Sequence, residues 1–268
     1  MNDRVPVTRR TALLALATGA GMSTAFCSRQ RGRPSLTFVL VHGAWVGGWC
    51  WKKVVPLLRA DGHQVYTPTL TGLGERRHLA SPQVNLSTHI QDVVALLEFE
   101  DLHDVVLVGH SYAGFAIAGV AAQAKARLGH VIFLDAFLPE DGKRMLDYNP
   151  LPPGFDDVVQ RQGDGWRLPL PFPLAELGVG DPADVAWATP RITDQPFATF
   201  TETLKLPANS FVGLRSSYIR TTNGEPFEPQ ATRATAVGFN VSAMTDAGHM
   251  VMITRPRELV SRLVELSS

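Results

Sequence analysis

The chain has 268 residues, of which 45% are hydrophobic and 19% are charged, so it is long enough to bury a large core in one α/β domain. Lysine and arginine together number 25, as do aspartate and glutamate, and the formal net charge is zero. This balance, without a long basic run, argues against nucleic acid as a partner.

The N-terminal segment, residues 1–35, differs in character from the rest of the chain. The pair Arg9-Arg10 precedes an apolar run from Ala12 to Phe26, and a polar, basic stretch follows. This order is typical of a bacterial export signal and resembles a twin-arginine leader. The run is too short and too glycine-rich to span a membrane stably. We therefore expect residues 1–35 to be an export leader or else a disordered tail. The protein would be periplasmic or secreted, or cytoplasmic if the leader is not functional.

The two cysteines, Cys27 and Cys50, do not indicate a disulfide framework, because removal of a leader would leave only Cys50. No group of histidines and cysteines has the spacing of a metal site. We expect neither a metal nor a cofactor.

Beyond residue 35, apolar runs alternate with helical patterns. A helix is predicted after a capping box formed by Thr88 and Gln91, and another near the C-terminus after Pro256. Such alternation predicts an α/β fold with a mainly parallel sheet covered by helices on both faces. The runs that read as strands are "LTFVLVHG", "QVYTPTL", "DVVLVG", "HVIFLD", "SSYIRTT" and "GFNVSAM".

Residues 139–206 break this alternation with stretches rich in proline and aromatic side chains, such as "NPLPPGF" and "RLPLPFPL". The segment is too long for a simple loop in a compact domain. We predict a cap inserted at 139–206 into a core made of 36–138 and 207–268. Most of its large aromatics are expected to pack in a core rather than to line a pocket: Phe155, Trp166, Phe172, Trp187, Phe197 and Phe200.

In "VVLVGHSYAG" a strand, a Gly-x-Ser turn and a helix follow without spare residues. This is the context of a nucleophile elbow, in which a strained turn exposes a serine hydroxyl at a helix N-terminus. The small residues at 109, 113 and 114 let strand and helix approach closely. Ser111 is therefore the candidate nucleophile.

Two further motifs stand at other strand ends. In "VHGAWVGGWCW" a strand runs into a His-Gly loop, and the oxyanion donors predicted from this arrangement are the backbone N–H groups of Ala44 and Tyr112. We expect His42 to support this loop. In "TDAGHMVMITRP" His249 follows a strand and precedes the last helix, which makes it the candidate base. Other histidines are expected at the surface or in caps: His63, His78, His89, His103 and His130.

These motifs, together with "TPTLTGLGERRH" and "FLDAFLPEDG", resemble the α/β-hydrolase superfamily over residues 36–268. The resemblance is closest to its cap-bearing branch, which includes plant methyl-ester esterases and hydroxynitrile lyases. It implies a cofactor-free mechanism through an acyl-enzyme, with Ser111 as nucleophile, His249 as base, and Ala44 and Tyr112 as oxyanion donors.

The acid of the triad departs from the pattern of that family. Gly224 stands where the aspartate would align. Two carboxylates are candidates, Glu225 one position on and Asp135 at the end of an earlier strand. A side chain at a strand end is held better than one in a Gly/Pro-rich loop, which favours Asp135 with Glu225 as the alternative.

Hydrolysis of a small-molecule ester is therefore the expected activity. The lyase branch has a lysine after the histidine and an acidic residue before the serine, whereas this chain has Met250 and His110 there, which disfavours cyanohydrin cleavage. Carbamate or amide hydrolysis by the same residues stays open, as does a non-catalytic ligand-binding module of the same fold. The sequence does not indicate an oligomeric state.

Overall fold

In the computed structural model, which describes residues 34–148, 154–223 and 227–268, six strands form one parallel sheet in the order β2-β1-β3-β4-β7-β8. Two short strands, β5 and β6, form an antiparallel pair outside it. The strands are β1 (Thr37–Val41), β2 (Gln64–Tyr66), β3 (Val105–His110), β4 (Leu128–Leu134), β5 (Arg167–Leu168), β6 (Gln195–Pro196), β7 (Arg215–Thr221) and β8 (Asn240–Met244).

Helices cover both faces of the large sheet. They are α1 (Val55–Ala60), α2 (Leu86–Phe99), α3 (Ala113–Ala124), α4 (Phe155–Gln162), α5 (Pro182–Ala188), α6 (Ala198–Thr201), α7 (Glu228–Ala236), α8 (Val251–Thr254) and α9 (Pro256–Ser267). All six strands predicted from the sequence are present in the sheet, so the predicted parallel α/β fold is confirmed.

Alternation along the strands divides the buried side chains between two cores. On β1, Val39 and Val41 belong to the core under α2, α3 and α7. Phe38 and Leu40 point to the opposite core, under α1, α8 and α9. Successive side chains of a strand face opposite sides of a sheet, so a strand covered on both faces is apolar throughout.

The start of α2 differs from its prediction. Asn85 is the N-cap, and its side-chain oxygen accepts a hydrogen bond from the Thr88 N–H at 2.9 Å. The helix begins at Leu86, so Thr88 is its third residue and cannot be the cap. The predicted pairing of Thr88 with Gln91 is therefore wrong, because Asn85, an equally good capping residue, stands one turn earlier.

The parallel arrangement places the carboxyl ends of the strands at one edge of the sheet. Ser111 follows β3, Asp135 follows β4, and the loop with His249 follows β8. Ligands of open α/β sheets bind outside this edge. The fold therefore gathers the three candidate side chains in the place where such sheets bind small molecules.

Residues 139–206, referred to below as the cap segment, connect β4 to β7 and contain α4, β5, α5, β6 and α6. Their separation from the core as a cap stays a prediction. Of the predicted leader, residues 1–33 lie outside the described residues. Within the described ranges no helix is both long enough and apolar enough to cross a membrane.

Candidate active site

Ser111 occupies the tip of a tight turn between β3 and α3. Its φ is +57°, in the left-handed region that side chains larger than glycine rarely adopt. The turn is held by two hydrogen bonds, from Ser111 N–H to the Leu134 carbonyl at 3.3 Å and from Gly114 N–H to the Ser111 carbonyl at 3.0 Å. The serine side chain is thus fixed at the sheet edge by backbone strain, as an elbow requires.

Two glycines make this turn possible. A Cβ at Gly109 would lie 2.9 Å from the Ala113 carbonyl oxygen, so β3 and α3 meet closely only without a side chain there. A Cβ at Gly114 would lie 1.9 Å from the Phe137 carbonyl oxygen. The expected close approach of strand and helix is therefore found, and Gly114 also makes room for the chain that leaves β4.

His249 contacts Asp135. Its Nδ1 lies 2.7 Å from Asp135 Oδ2, and the aspartate side chain is almost completely buried. Asp135 Oδ1 accepts the Thr221 N–H at 3.0 Å, and the Asp135 N–H donates to the Ile219 carbonyl at 2.7 Å. Both carboxylate oxygens are therefore occupied, and the group is held against the end of β7.

This contact determines how the imidazole is presented. Because a carboxylate accepts at Nδ1, Nδ1 carries the proton and Nε2 is left with a lone pair. Phe227 stacks on the imidazole ring, with centroids 5.0 Å apart and planes 5° from parallel. Ser111 and His249 line the same cavity, although no hydrogen bond joins their side chains among the described residues. Such contacts are often long in the absence of substrate.

His110 holds the backbone of the His249 loop. Its Nε2 donates to the His249 carbonyl oxygen at 2.9 Å, and the two rings lie 4.4 Å apart. Burial lowers the pKa of His110 well below its usual value, with the neighbouring His249 acting in the same direction. His110 therefore stays neutral and ties the turn before Ser111 to the loop after β8.

The Ala44 N–H, a predicted oxyanion donor, is oriented by His42. Nδ1 of His42 donates to the Gly43 carbonyl oxygen at 2.8 Å, and Nε2 accepts the Leu70 N–H at 3.0 Å. The Gly43 carbonyl and the Ala44 N–H share one planar peptide and point in opposite directions. Burial lowers the pKa of His42 to about 4, so this neutral pattern persists at pH 7. The expected supporting role of His42 is confirmed.

Tyr112, the residue that carries the second predicted donor, is anchored by His89. The Tyr112 hydroxyl lies 3.0 Å from His89 Nδ1, and His89 Nε2 donates to the Thr71 carbonyl at 2.9 Å. Burial lowers the pKa of His89 to about 4 and raises that of Tyr112 above its usual range. Both groups are therefore neutral, and the hydroxyl donates to the imidazole.

Of the remaining histidines, which were expected at the surface or in caps, two lie at the surface. His78 and His103 are exposed. His63, His89 and His130 are buried. Their burial follows from contacts distant in sequence: His130 Nε2 lies 2.8 Å from Ser217 Oγ on β7, and His89 contacts Tyr112.

Ser111, His249, Ala44 and Tyr112 line a cavity of about 410 Å³. Most of its other lining side chains are apolar, and among the described lining residues Glu176 is the one carboxylate, with no lysine or arginine. The apolar and aromatic members include Trp45, Val46, Phe137, Met145, Leu170, Phe172, Leu177, Ile192, Phe227 and Met250. The arrangement suits a small, mainly apolar ligand.

The cap-segment aromatics mostly do pack in the interior. Phe200 is buried in the main core, and Phe155 and Phe197 pack against it. Trp187 stands edge-to-face with Trp49 at 5.2 Å. Phe172 lines the cavity instead.

Glu225, the alternative acid, lies outside the described residues. Among the described histidines, cysteines, aspartates and glutamates, no group of three or more could hold a metal ion.

Comparison with known proteins identifies relatives over nearly the whole described chain. A sequence model of the alpha/beta hydrolase family matches residues 38–262. A carbendazim hydrolyzing esterase from Nocardioides sp. (strain SG-4G) is 38% identical over 245 residues, which are 85% of this chain and 98% of that protein. Putative methylesterase 15, chloroplastic, of Arabidopsis thaliana is 28% identical over 261 residues, 89% of this chain but 58% of its own length.

A solved structure shows the same similarity in three dimensions. An extracellular alpha/beta-hydrolase from a Paenibacillus species, described as sharing structural and functional homology with tobacco salicylic acid binding protein 2, superimposes with a TM-score of 0.74. It is 28% identical, and the match covers 86% of this chain and 98% of that structure. The chain belongs to the alpha/beta hydrolase family, and the relatives that it resembles include esterases.

Proposed function

We propose that the protein is a serine hydrolase that cleaves small to medium, mainly apolar carboxylic esters through an acyl-enzyme, with Ser111, His249 and Asp135 as its triad. The observation that carries this is the buried Asp135–His249 contact of 2.7 Å, beside a cavity that also contains the strained Ser111 turn. A nucleophile, a base and an orienting acid within reach of one cavity are the parts that acyl transfer needs.

In the first half of the reaction, Ser111 Oγ attacks the ester carbonyl carbon. A C–O bond forms, the carbonyl π electrons move to its oxygen, and the hydroxyl proton passes to His249 Nε2. When the tetrahedral intermediate collapses, the carbonyl reforms and the C–O bond to the alcohol breaks. His249 returns the proton to the leaving alcohol oxygen, and Ser111 remains acylated.

In the second half, water attacks the acyl-enzyme. His249 Nε2 takes a proton from the water, a second tetrahedral intermediate forms, and its collapse releases the carboxylic acid and restores the Ser111 hydroxyl. Throughout, Asp135 Oδ2 accepts the hydrogen bond from the Nδ1–H group of His249, and no proton is transferred to the carboxylate. It thereby holds the tautomer and stabilises the imidazolium formed in each attack.

The developing oxyanion would be bound by the backbone N–H groups of Ala44 and Tyr112. Two features support these assignments: His42 turns the Gly43–Ala44 peptide, and Tyr112 begins the helix that follows Ser111. Donors fixed before the reaction need no reorganisation when charge develops, which is the usual source of large rate gains.

The same features support catalysis over ligand binding alone. A receptor would not need a strained serine or a doubly hydrogen-bonded carboxylate behind a histidine. Carbamates present the same type of carbonyl to the same groups. The 38%-identical relative is named for the hydrolysis of carbendazim, so carbendazim belongs in the substrate panel.

The test is covalent labelling combined with a substrate panel. A serine-directed phosphonate should abolish hydrolysis of p-nitrophenyl esters, and mass spectrometry should place the adduct on Ser111. Ser111→Ala should keep the thermal midpoint and lower kcat by about 10⁴ or more. An adduct on another residue, or an active Ser111→Ala variant, would refute the assignment.

We further propose that the cap segment controls substrate range and that residues 1–35 direct export. The export proposal is supported by the Arg9-Arg10 pair ahead of an apolar run, and by the extracellular relative. Fractionation of a bacterial host followed by N-terminal sequencing should find a shortened chain outside the cytoplasm. Replacement of Arg9-Arg10 by lysines should retain the full chain inside the cell.

A further inference from the structure

Trp45, the residue after Ala44, has an unfavourable backbone conformation. Its φ is +62°, and for a bulky side chain this left-handed conformation is uncommon and costs about 1–3 kcal/mol. A residue keeps such a conformation only when contacts with its surroundings offset this energy. The partners of Trp45 therefore show what keeps the loop after β1 in shape.

The hydrogen-bond and aromatic-ring partners described for Trp45 come from the cap segment. The Trp45 N–H donates to Gln195 Oε1 at 3.1 Å, and the Trp45 carbonyl accepts the Thr193 N–H at 2.9 Å. The indole N–H donates to the Leu168 carbonyl at 2.8 Å. The indole ring also stands edge-to-face against Phe172 and Phe200, at 5.6 and 5.7 Å.

Gln195 is itself fixed in one orientation. Its side chain is completely buried, and its Nε2 donates to Thr199 Oγ1 at 2.8 Å. The Thr199 hydroxyl in turn donates to the Pro196 carbonyl at 2.6 Å. The Thr199 hydroxyl has one proton, which it donates to the Pro196 carbonyl, so towards Gln195 it can only accept. The group of Gln195 that faces Thr199 is therefore the amide nitrogen, and the amide oxygen faces Trp45.

Ala44 thus lies between two peptide planes, and each plane is held by a hydrogen bond to a different side chain. His42 holds the Gly43–Ala44 plane through the Gly43 carbonyl, at 2.8 Å. Gln195 holds the Ala44–Trp45 plane through the Trp45 N–H. With both planes fixed, the two backbone dihedrals of Ala44 are fixed, and so is the direction of its N–H.

We propose that Gln195 is a positioning residue for the oxyanion hole, acting through the Trp45 peptide on the Ala44 N–H. The inference rests on the proposed function, since it assigns a role to a group that does not touch the substrate. An oxyanion donor contributes mainly to the transition state, so Gln195 affects kcat and leaves KM nearly unchanged.

The test compares Gln195→Met, which keeps length and loses the acceptor, with Asp184→Asn. Asp184 also ties the cap segment to the core, through Lys53 at 2.6 Å, but it does not contact Trp45. We expect Gln195→Met to lower kcat by about 10- to 100-fold with KM within about twofold, since small misplacements of catalytic groups have effects of this size. Asp184→Asn should retain the kcat of the parent protein.

The affinity for a trifluoromethyl ketone inhibitor separates a positioning role from a merely structural one, because a structural role alone would not change it selectively. It forms a hemiketal with Ser111 whose oxyanion occupies the hole, whereas the matching methyl ketone binds without this charge. Gln195→Met should weaken binding of the trifluoromethyl ketone by the same factor by which kcat/KM falls. The affinity for the methyl ketone should be unchanged. Parent-like kcat and trifluoromethyl ketone affinity in a folded variant would overturn the inference.

If Gln195→Met does not fold, the variant Thr199→Val tests the same positioning role. It releases the amide of Gln195 without removing the contact to Trp45. Thr199 also lies near the Tyr112 hydroxyl, which keeps its contact with His89. We expect Thr199→Val to lower kcat and to weaken binding of the trifluoromethyl ketone by a smaller factor, with binding of the methyl ketone unchanged. No change would again overturn the inference. Failure of the proposed function looks different, because the parent protein itself would then neither hydrolyse esters nor be labelled at Ser111.

Discussion

Asp135 and His249 are 114 residues apart in the chain, and their side chains meet at 2.7 Å. The carboxylate reaches the imidazole across the end of β7, since its other oxygen accepts the Thr221 N–H. The proposed acid therefore lies at the end of the strand before the cap segment, and the sheet itself fixes it. Its contact with His249 supports Asp135 over Glu225 as the acid.

Replacement of Asp135 should separate these two candidates by kinetics. Asp135→Asn keeps the shape of the side chain but presents an amide to His249 Nδ1, which favours the wrong tautomer. We expect kcat to fall by up to about 10⁴, measured with p-nitrophenyl esters. Glu225→Gln is the matched control and should cost far less. The reverse ranking would transfer the role of acid to Glu225.

Glu176 should bias the cavity against anionic substrates. It is exposed and forms no ion pair with any described residue, and among the described residues that line the cavity it is the sole carboxylate, with no lysine or arginine. Neutral apolar esters should react best. Among charged esters of equal size, an ammonium-bearing one should exceed a carboxylate-bearing one in kcat/KM by about 2- to 5-fold at low salt, as for exposed charges.

Glu176→Gln should bring that ratio close to one. The control is Glu98→Gln, which removes an exposed carboxylate from the end of α2, away from the cavity lining. High salt should reduce the ratio in the parent protein and leave the Glu176→Gln variant as it is. A ratio that survives Glu176→Gln would mean that another group sets the charge preference.

Acid should destabilise the fold through buried histidines. Burial lowers the pKa of His42, His89 and His130 from 6.5 to about 4. Between these two pH values the unfolded chain binds protons that the folded chain excludes. The free energy of unfolding is therefore highest above pH 6.5 and decreases as the pH drops toward 4, by about 3 kcal/mol at most for each of these histidines.

Urea unfolding at pH 7 and pH 5.5 measures this effect. His130→Gln removes one such group and can still reach Ser217, the partner of His130 Nε2 at 2.8 Å. Its free energy of unfolding should depend less on pH than that of the parent protein. His78→Gln removes an exposed histidine and should leave the dependence unchanged. Identical pH profiles for all three proteins would contradict the burial argument.

Removal of residues 1–33, which are all but two residues of the predicted leader 1–35, should leave the enzyme intact. A chain beginning at Pro34 retains Ser35, whose hydroxyl donates to the Gly62 carbonyl at 2.7 Å, and all of β1. We expect its thermal midpoint and kcat/KM to equal those of the full chain. A large loss of either would show that the removed residues contribute to the fold and would weaken the export proposal.

The strand ends were the part of the site that the sequence could predict. Ser111, Asp135 and His249 each follow an apolar run, and parallel strands must bring such positions to one edge. Apolar runs separated by helical patterns similarly predicted every strand of the large sheet. These features depend on local pattern and on a topology with few alternatives, so one sequence suffices to predict them.

Gln195 and His89 were missed because their roles depend on contacts distant in sequence. Gln195 meets Trp45 across 150 residues, inside a segment whose irregular pattern predicts no fixed position. His89 reads as a polar residue in the first turn of α2 until Tyr112 is placed beside it. For His110 a signal existed, since it adjoins Ser111 in the elbow, but its bond to the His249 carbonyl requires the closed sheet edge.

The left-handed backbone at Trp45 and Ser111 also has a consequence for how this protein tolerates mutation. Glycine adopts that conformation without steric cost, so Ser111→Gly should make the turn more stable while it eliminates the proposed nucleophile. A library screened for thermal stability alone would therefore enrich glycine there, whereas one screened for turnover would exclude it. Divergence between the two screens would identify positions where evolution has kept activity at the expense of stability.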